Sequence, residues 1–100
     1  MKKIIGNLLY DTEKAEKIYS YRSKRKTGSF GAVNFYSWFD IDVYKTKKDN
    51  YFIYGCPSDE YKYSLKPFIE EFSEPEFKEI LKKIDPDRYT EFGFDDIEEA

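Results

Sequence analysis

One hundred residues, 40% of them hydrophobic and 37% charged, suit one domain with a modest core and a heavily charged surface. The absence of histidine and the presence of a single cysteine exclude an internal disulfide and a zinc site built from nitrogen and sulfur ligands. The net charge of −3 is unevenly distributed, because residues 1–58 carry 11 Lys and Arg against 6 Asp and Glu, and residues 59–100 carry 6 against 14.

The N-terminal segment predicts a short strand followed by a short helix. Residues 3–10 form an extended pattern interrupted by a Gly-Asn pair, which favours a tight turn. Asp11 or Thr12 can cap a helix over residues 13–19, whose acidic first residue suits the positive end of a helix.

A basic segment follows over residues 21–31. Glycines flank Phe30 near its end, and this composition predicts a mobile loop or the end of a hairpin. Its four cations are Arg22, Lys24, Arg25 and Lys26.

Residues 32–46 carry the clearest strand signal in the chain. Apolar residues recur at odd positions, and this period of two predicts a strand with one buried face. The apolar side chains predicted to face the core are Val33, Phe35, Phe39, Ile41 and Val43. Three aromatic side chains at even positions are predicted to be exposed on the other face: Tyr36, Trp38 and Tyr44. Residues 47–50 read as a turn, and residues 51–54 as the returning strand.

The C-terminal half predicts one more strand and two helices. Residues 66–72 suit a strand, and Ser73 with Glu76 forms a capping box for an amphipathic helix of about eleven residues. Asp85 and Pro86 end that helix and start another short one. Residues 94–100 are predicted to fray.

The element order is therefore β-α-β-β-β-α-α. It predicts a single α+β domain over residues 1–100. In it, an antiparallel sheet of about four strands packs against a short N-terminal helix and two C-terminal helices. A lone cysteine, an N-terminus without the apolar segment of a signal peptide, and apolar runs of only two or three residues lead us to expect a cytoplasmic protein that does not associate with membranes.

No residue pattern predicts a catalytic site, a metal site or a cofactor. Asp40 and Asp42 share one strand face and could hold a divalent cation or flank a glycosidic bond, but alternating carboxylates more often keep an exposed face soluble. Cys56 has no evident activating base, so we expect a structural role for it. These observations favour a protein that acts by binding a macromolecule.

Three contact surfaces remain open at the level of sequence. The favoured one joins Tyr36, Trp38 and Tyr44 to a charged patch, unless the N-terminal helix covers those rings. The basic segment could instead bind phosphates, with Tyr21, Phe30, Tyr36 or Trp38 stacking on bases, as in a small nucleic-acid-binding accessory protein. The acidic half could imitate phosphates through carboxylates that include Glu70, Glu71, Glu74, Glu76, Glu79, Asp85, Asp87, Glu91, Asp95, Asp96, Glu98 and Glu99. The oligomeric state is open as well.

Residues 3–15 read KIIGNLLYDTEKA, and residues 43–55 read VYKTKKDNYFIYG. These segments resemble a widespread family of small phage and plasmid proteins of Firmicutes, whose corresponding segments read KIINGKLYDTETA and LYRTKNGxYFLxG. Residues 72–77 continue the resemblance, and residues 87–93 resemble the closing DEYExIFG. It implies an anti-defence protein such as an anti-CRISPR inhibitor in the bacterial host cytoplasm. Its expected partner is a Cas nuclease such as Cas9, with or without guide RNA.

Overall fold

The computed structural model describes residues 1–58, 65–94 and 96–98 of the chain. In this part of the chain six strands precede two helices. The elements are β1 (Lys2–Ile5), β2 (Leu8–Asp11), β3 (Glu16–Phe30), β4 (Val33–Lys45), β5 (Tyr51–Pro57), β6 (Phe68–Phe72), α1 (Glu74–Ile84) and α2 (Pro86–Glu91).

The predicted antiparallel sheet of about four strands is confirmed in strand number, but the segment over residues 3–10 is not one of its strands, and β3 takes that place. Strands β3, β4, β5 and β6 pair in that order, and β1 and β2 form a separate two-stranded hairpin. The β1–β2 and β3–β4 hairpins both turn through two residues, and each turn begins with a glycine at φ +61°, Gly6 in one and Gly31 in the other. A positive φ at this position matches the right-handed twist of the flanking strands. The turn predicted at the Gly6-Asn7 pair is therefore confirmed.

The predicted N-terminal helix is wrong. Asp11 does cap a turn: its backbone oxygen accepts hydrogen bonds from the amides of Lys14 and Ala15, and its carboxylate accepts one from the amide of Glu13 at 2.9 Å. After this one turn β3 begins at Glu16. An isolated helix of seven residues has little stability of its own, so pairing of the following residues with β4 decides the structure.

The basic segment is also not a loop, because its cations lie within β3. Lys and Arg are tolerated on an edge strand, and β3 is an edge of the sheet. Only the two residues Gly31 and Ala32 separate β3 from β4, which makes the segment one arm of a long hairpin.

One face of the four-stranded sheet packs against both helices and forms the main core. We call it the helix face. Its buried side chains are Phe39, Ile41 and Val43 from β4, Ile53 from β5, Phe72 from β6, Phe77 and Leu81 from α1 and Tyr89 from α2. The hydroxyl of Tyr19 donates a hydrogen bond to the carboxylate of Asp85 at 3.0 Å, which ties β3 to the junction between α1 and α2.

The opposite face is covered at one end by the β1–β2 hairpin. Tyr10 from β2 packs on Phe52 and Ile69, and these three side chains form a second buried cluster. The ammonium of Lys3 donates a hydrogen bond to the backbone oxygen of Ile69 at 3.3 Å. The hairpin therefore takes the covering role that the sequence left open for an N-terminal helix.

The C-terminal helices follow the prediction. Ser73 and Glu76 form the capping box at the start of α1, with the hydroxyl of Ser73 accepting from the amide of Glu76 at 3.2 Å. Asp85 caps α2 with Pro86 at its first position. Phe94, in the segment predicted to fray, is half-buried against Phe77, Tyr89 and Phe92.

The β3–β4 hairpin extends beyond the rest of the sheet. Strand β5 pairs with β4 only from Phe39 to Lys45, and the amide of Ser58 adds one hydrogen bond to the oxygen of Trp38. Beyond Trp38, in the described part of the chain, β4 pairs with β3 alone. The radius of gyration is 15.4 Å, above the value of about 13 Å expected for a compact domain of this length.

Because the hairpin projects, two residues that were predicted to face the core are exposed. Val33 and Phe35 follow the alternation and lie on the same side of β4 as Phe39, but their side chains are 58% and 51% exposed. Neither β5 nor the helices reach this part of the hairpin, so no layer formed by the described residues covers the predicted inward face there.

Candidate binding surface

The projecting part of the β3–β4 hairpin, residues 22–38, presents one face made of cations and aromatic rings. We call this part of the hairpin the ribbon. Strand pairing places Lys24 opposite Trp38 and Lys26 opposite Tyr36, and Arg22 stands opposite Asp40. Directly paired side chains share a face of a sheet. We call Arg22, Lys24, Lys26, Tyr36 and Trp38 the ribbon face.

Each ring of the ribbon face has a cation above it. The guanidinium carbon of Arg22 lies 5.2 Å from the centre of the Trp38 ring, and the ammonium of Lys24 lies 5.7 Å from the centre of the Tyr36 ring. Cation–π contact holds these side chains in register while leaving half of each ring exposed, 47% for Trp38 and 49% for Tyr36. The sequence predicted both rings to be exposed, and the structure places them so.

The third predicted ring, Tyr44, lies elsewhere on the same face. It stacks on Phe52 with ring centres 5.0 Å apart and planes 9° apart, and the β1–β2 hairpin half-buries it. Burial raises the pKa of the Tyr44 phenol, and the same cause raises the pKa of Tyr54. The structure therefore brings Tyr36 and Trp38 together with the cations and leaves Tyr44 apart from them.

Arg25, one of the four cations of the basic segment, points to the helix face. Its Nη1 donates to both carboxylate oxygens of Glu70 at 3.0 Å, and its guanidinium lies 4.5 Å from the centre of the Phe68 ring. This ion pair connects the base of the ribbon to β6 and neutralises the charge of Arg25. Arg25 therefore positions the ribbon and does not contribute charge to the ribbon face.

The charge of the ribbon is all positive. Residues 22–38 contain four Lys and Arg and no Asp or Glu. Arg22 forms an ion pair with Asp40 at 3.6 Å, whereas within the described residues no carboxylate lies in ion-pair range of Lys24 or Lys26. Among the described residues, the positive charge of the ribbon face that is not paired with a carboxylate therefore lies at Lys24 and Lys26.

The carboxylates considered for chemistry are engaged with neighbouring side chains. Asp40 pairs with Arg22, and Asp42 accepts a hydrogen bond from the Ser20 hydroxyl at 2.7 Å and lies 3.9 Å from the ammonium of Lys17. Across the described part of the chain, no three His, Cys, Asp or Glu side chains gather as metal ligands would. Cys56 is half-buried in β5.

The acidic half does not form one uniform surface. Glu70 pairs with Arg25, Glu79 with Lys82, and Glu91 with Arg88. Lys78 binds both Glu74 and Asp96 at 3.4 Å. Two carboxylates of the predicted phosphate-imitating set, Asp95 and Glu99, lie outside the described residues.

Sequence reasoning missed an apolar side of the ribbon tip. Phe30 pairs with Val33 across the turn, and the Phe30 side chain is 82% exposed. The sequence carried no clear signal for it, because the excess of β3 and β4, with 15 and 13 residues, over the seven residues of β5 is visible only in the structure. Among residues 1–58, 65–94 and 96–98, no further layer packs on the apolar residues in the excess length.

A glycine at the base of the ribbon offers a test of how Arg25 is held. Gly55 stands opposite Phe68, and a Cβ at Gly55 would lie 2.5 Å and 2.8 Å from two carbons of the Phe68 ring. We expect Gly55→Ala to force that ring toward Arg25 and to lower the free energy of unfolding by about 1–3 kcal/mol, the usual effect of overpacking.

The matched control for Gly55→Ala is Gly28→Ala. A Cβ at Gly28 would lie 4.0 Å from the Phe35 ring, an ordinary contact, so we expect a change within about 0.5 kcal/mol. Urea unfolding followed by circular dichroism measures both variants. Equal effects at the two positions would show that the Phe68 ring yields freely and does not hold Arg25 in place.

The described residues contain no helix with the length and apolar character needed to cross a membrane. Comparison of the chain with protein families, with curated proteins and with solved structures found no match.

Proposed function

We propose that this chain is a binding protein that inhibits a host defence nuclease by occupying one of its surfaces. The observation that supports binding is the ribbon face, where half-exposed Trp38 and Tyr36 stand among cations on a hairpin that projects from the domain. Trp, Tyr and Arg are the side chains that most often dominate the energy of protein interfaces. The cation–π contacts order them before binding, which lowers the entropy cost of association.

The choice of partner rests on the resemblance to the phage and plasmid family. It makes a Cas nuclease such as Cas9 the first candidate, and nucleases of this kind hold their heteroduplex in a channel rich in positive charge. Carboxylates outside that channel would attract the ribbon. The basic half of the chain would face the partner, and the acidic half would face away from it.

The test is capture of the nuclease by the tagged chain from bacteria that express a Cas effector. Lysates are treated with nuclease and washed at moderate salt, so that bridging nucleic acid is removed. We expect recovery of the Cas protein near one to one. Replacing both rings, Tyr36→Ser with Trp38→Ser, should lower recovery more than about ten-fold, because truncating a central interface side chain costs about 2 kcal/mol or more.

The β1–β2 hairpin supplies a matched control. Ile4 and Leu9 form an exposed cross-strand pair there, 70% and 48% exposed, and Ile4→Ser with Leu9→Ser removes a comparable apolar surface away from the ribbon. We expect this variant to recover as much nuclease as the unaltered chain. If no Cas protein is recovered, or if the two double variants behave alike, the proposal is wrong.

A further inference from the structure

We propose that the ribbon face binds single-stranded nucleic acid directly. This inference goes beyond inhibition of a nuclease but rests on the same working surface. It starts from the arrangement of the five side chains, which form two parallel rows on adjacent strands. The row on β3 is cationic, and the row on β4 is aromatic.

The two rows repeat at the same spacing. Side chains two residues apart on a strand lie about 7 Å from one another, and neighbouring strands are about 4.8 Å apart. Arg22, Lys24 and Lys26 follow this repeat on β3, and Tyr36 and Trp38 follow it on β4. A single strand of nucleic acid has the same organisation, with a row of phosphates beside a row of flat bases.

This pairing of rows favours nucleic acid over an acidic peptide. An acidic peptide offers carboxylates to the cationic row but offers no regular row of planar groups to the rings. Bases stack on Trp and Tyr whatever their sequence, while Lys and Arg follow the sugar–phosphate backbone. In a duplex the bases are already stacked on one another, so the rings would have nothing to contact.

The carboxylate of Asp40 limits the length of the site. It continues the aromatic row beyond Trp38 and already binds Arg22, so phosphates would be repelled at the base of the ribbon. The bound strand therefore extends from Trp38 toward Lys26 and the tip. We expect a short footprint with two stacked bases.

The experiment uses the fluorescence of Trp38, which is the sole tryptophan of the chain. The full-length protein is titrated with 12-nucleotide single-stranded DNA and RNA, with the matching duplex, and with polyphosphate as a polyanion without bases. We expect the single strands to quench Trp38. The duplex and polyphosphate should leave its emission unchanged and bind at least ten-fold more weakly in competition.

Substitutions then separate charge from stacking. Lys24→Ala with Lys26→Ala should weaken binding at least ten-fold and reduce the slope of log affinity against log salt by about 1.4, since each phosphate contact to a single strand contributes about 0.7. Tyr36→Ala should weaken binding roughly five-fold or more while leaving that slope unchanged. Binding by all variants is followed through the anisotropy of a labelled oligonucleotide.

The matched control is Lys47→Ala with Lys48→Ala, which removes the same charge from two exposed lysines in the turn before β5. We expect its affinity to stay within about two-fold of the unaltered chain. Equal losses for the two lysine pairs, equal binding of duplex or polyphosphate, or no quenching by single strands would each overturn the inference.

The two proposals fail in different ways. If the nuclease is captured from treated lysate but no oligonucleotide binds, the ribbon face contacts protein, and only the nucleic-acid inference is lost. If oligonucleotides bind and the nuclease is not captured, the inference stands and the inhibitor proposal is lost.

Discussion

Phe77→Ala is expected to lower the free energy of unfolding by about 3–5 kcal/mol, the usual loss when a buried phenylalanine is truncated to alanine. Phe77 is fully buried in α1, and its ring lies within 6.4 Å, centre to centre, of five other aromatic rings: Tyr19, Tyr51, Phe72, Phe92 and Phe94. These rings come from β3, β5, β6 and the C-terminal region. Removing the side chain at their centre therefore weakens the aromatic packing between the sheet and the helices.

A domain of this size is stable by about 5–15 kcal/mol, so the Phe77→Ala variant should lose a large fraction of its free energy of unfolding. Urea unfolding followed by far-ultraviolet circular dichroism gives the loss, and the near-ultraviolet signal reports the aromatic cluster. Ile84→Ala is the control on the same helix, because the Ile84 side chain is 54% exposed and should cost little. Similar losses for the two variants would show that the cluster closes around the cavity and that Phe77 is not its centre.

The parts of the fold that depend on local signals could be predicted from the sequence. The capping box at Ser73 and Glu76 and the apolar periodicity after it define α1. The alternation over residues 32–46 defines β4, and the polar turn after it defines the hairpin with β5. In each case neighbouring residues carry enough information, because the structure is fixed by contacts a few residues away.

The parts that depend on distant partners could not be predicted. The cap at Asp11 is present, but whether one turn or a helix follows depends on pairing with β4, about 25 to 30 residues further along the chain. Exposure of the rings on β4 depends on where the β1–β2 hairpin lies, since it covers Tyr44 and leaves Trp38 open. Once the basic segment is known to be a strand, strand geometry places the side chains of Lys24 and Arg25 on opposite faces of the sheet.

Phe52→Ala is the second substitution with a large expected effect, and it tests whether the N-terminal hairpin is held by one side chain. Phe52 is fully buried on the face opposite the helices, with its ring 5.3 Å from that of Tyr10 and stacked on that of Tyr44. We expect a loss of about 3–5 kcal/mol, as for Phe77, because a fully buried ring is removed. Urea unfolding measures the loss.

The region that loses protection from amide exchange differs between the two variants. In the Phe52→Ala variant the β1–β2 hairpin loses its main apolar contact, so its amides should exchange with solvent faster than those of α1, as expected for local opening. In the Phe77→Ala variant, by contrast, α1 should be the first element to lose protection. Uniform loss of protection in the Phe52→Ala variant would mean that the hairpin is held by its other contacts, such as the hydrogen bond from Lys3 to Ile69.

The conservative substitutions Phe52→Leu and Phe77→Leu, made singly and together, test whether the two faces of the sheet pack independently. The two rings belong to separate clusters on opposite faces and share no aromatic partner. Distant substitutions without shared partners usually add to within about 0.5 kcal/mol, so the double variant should lose the sum of the single losses. A larger discrepancy would show that the central strands transmit packing changes from one face to the other. The packing of Tyr44 on Phe52 would then respond to changes in the helices.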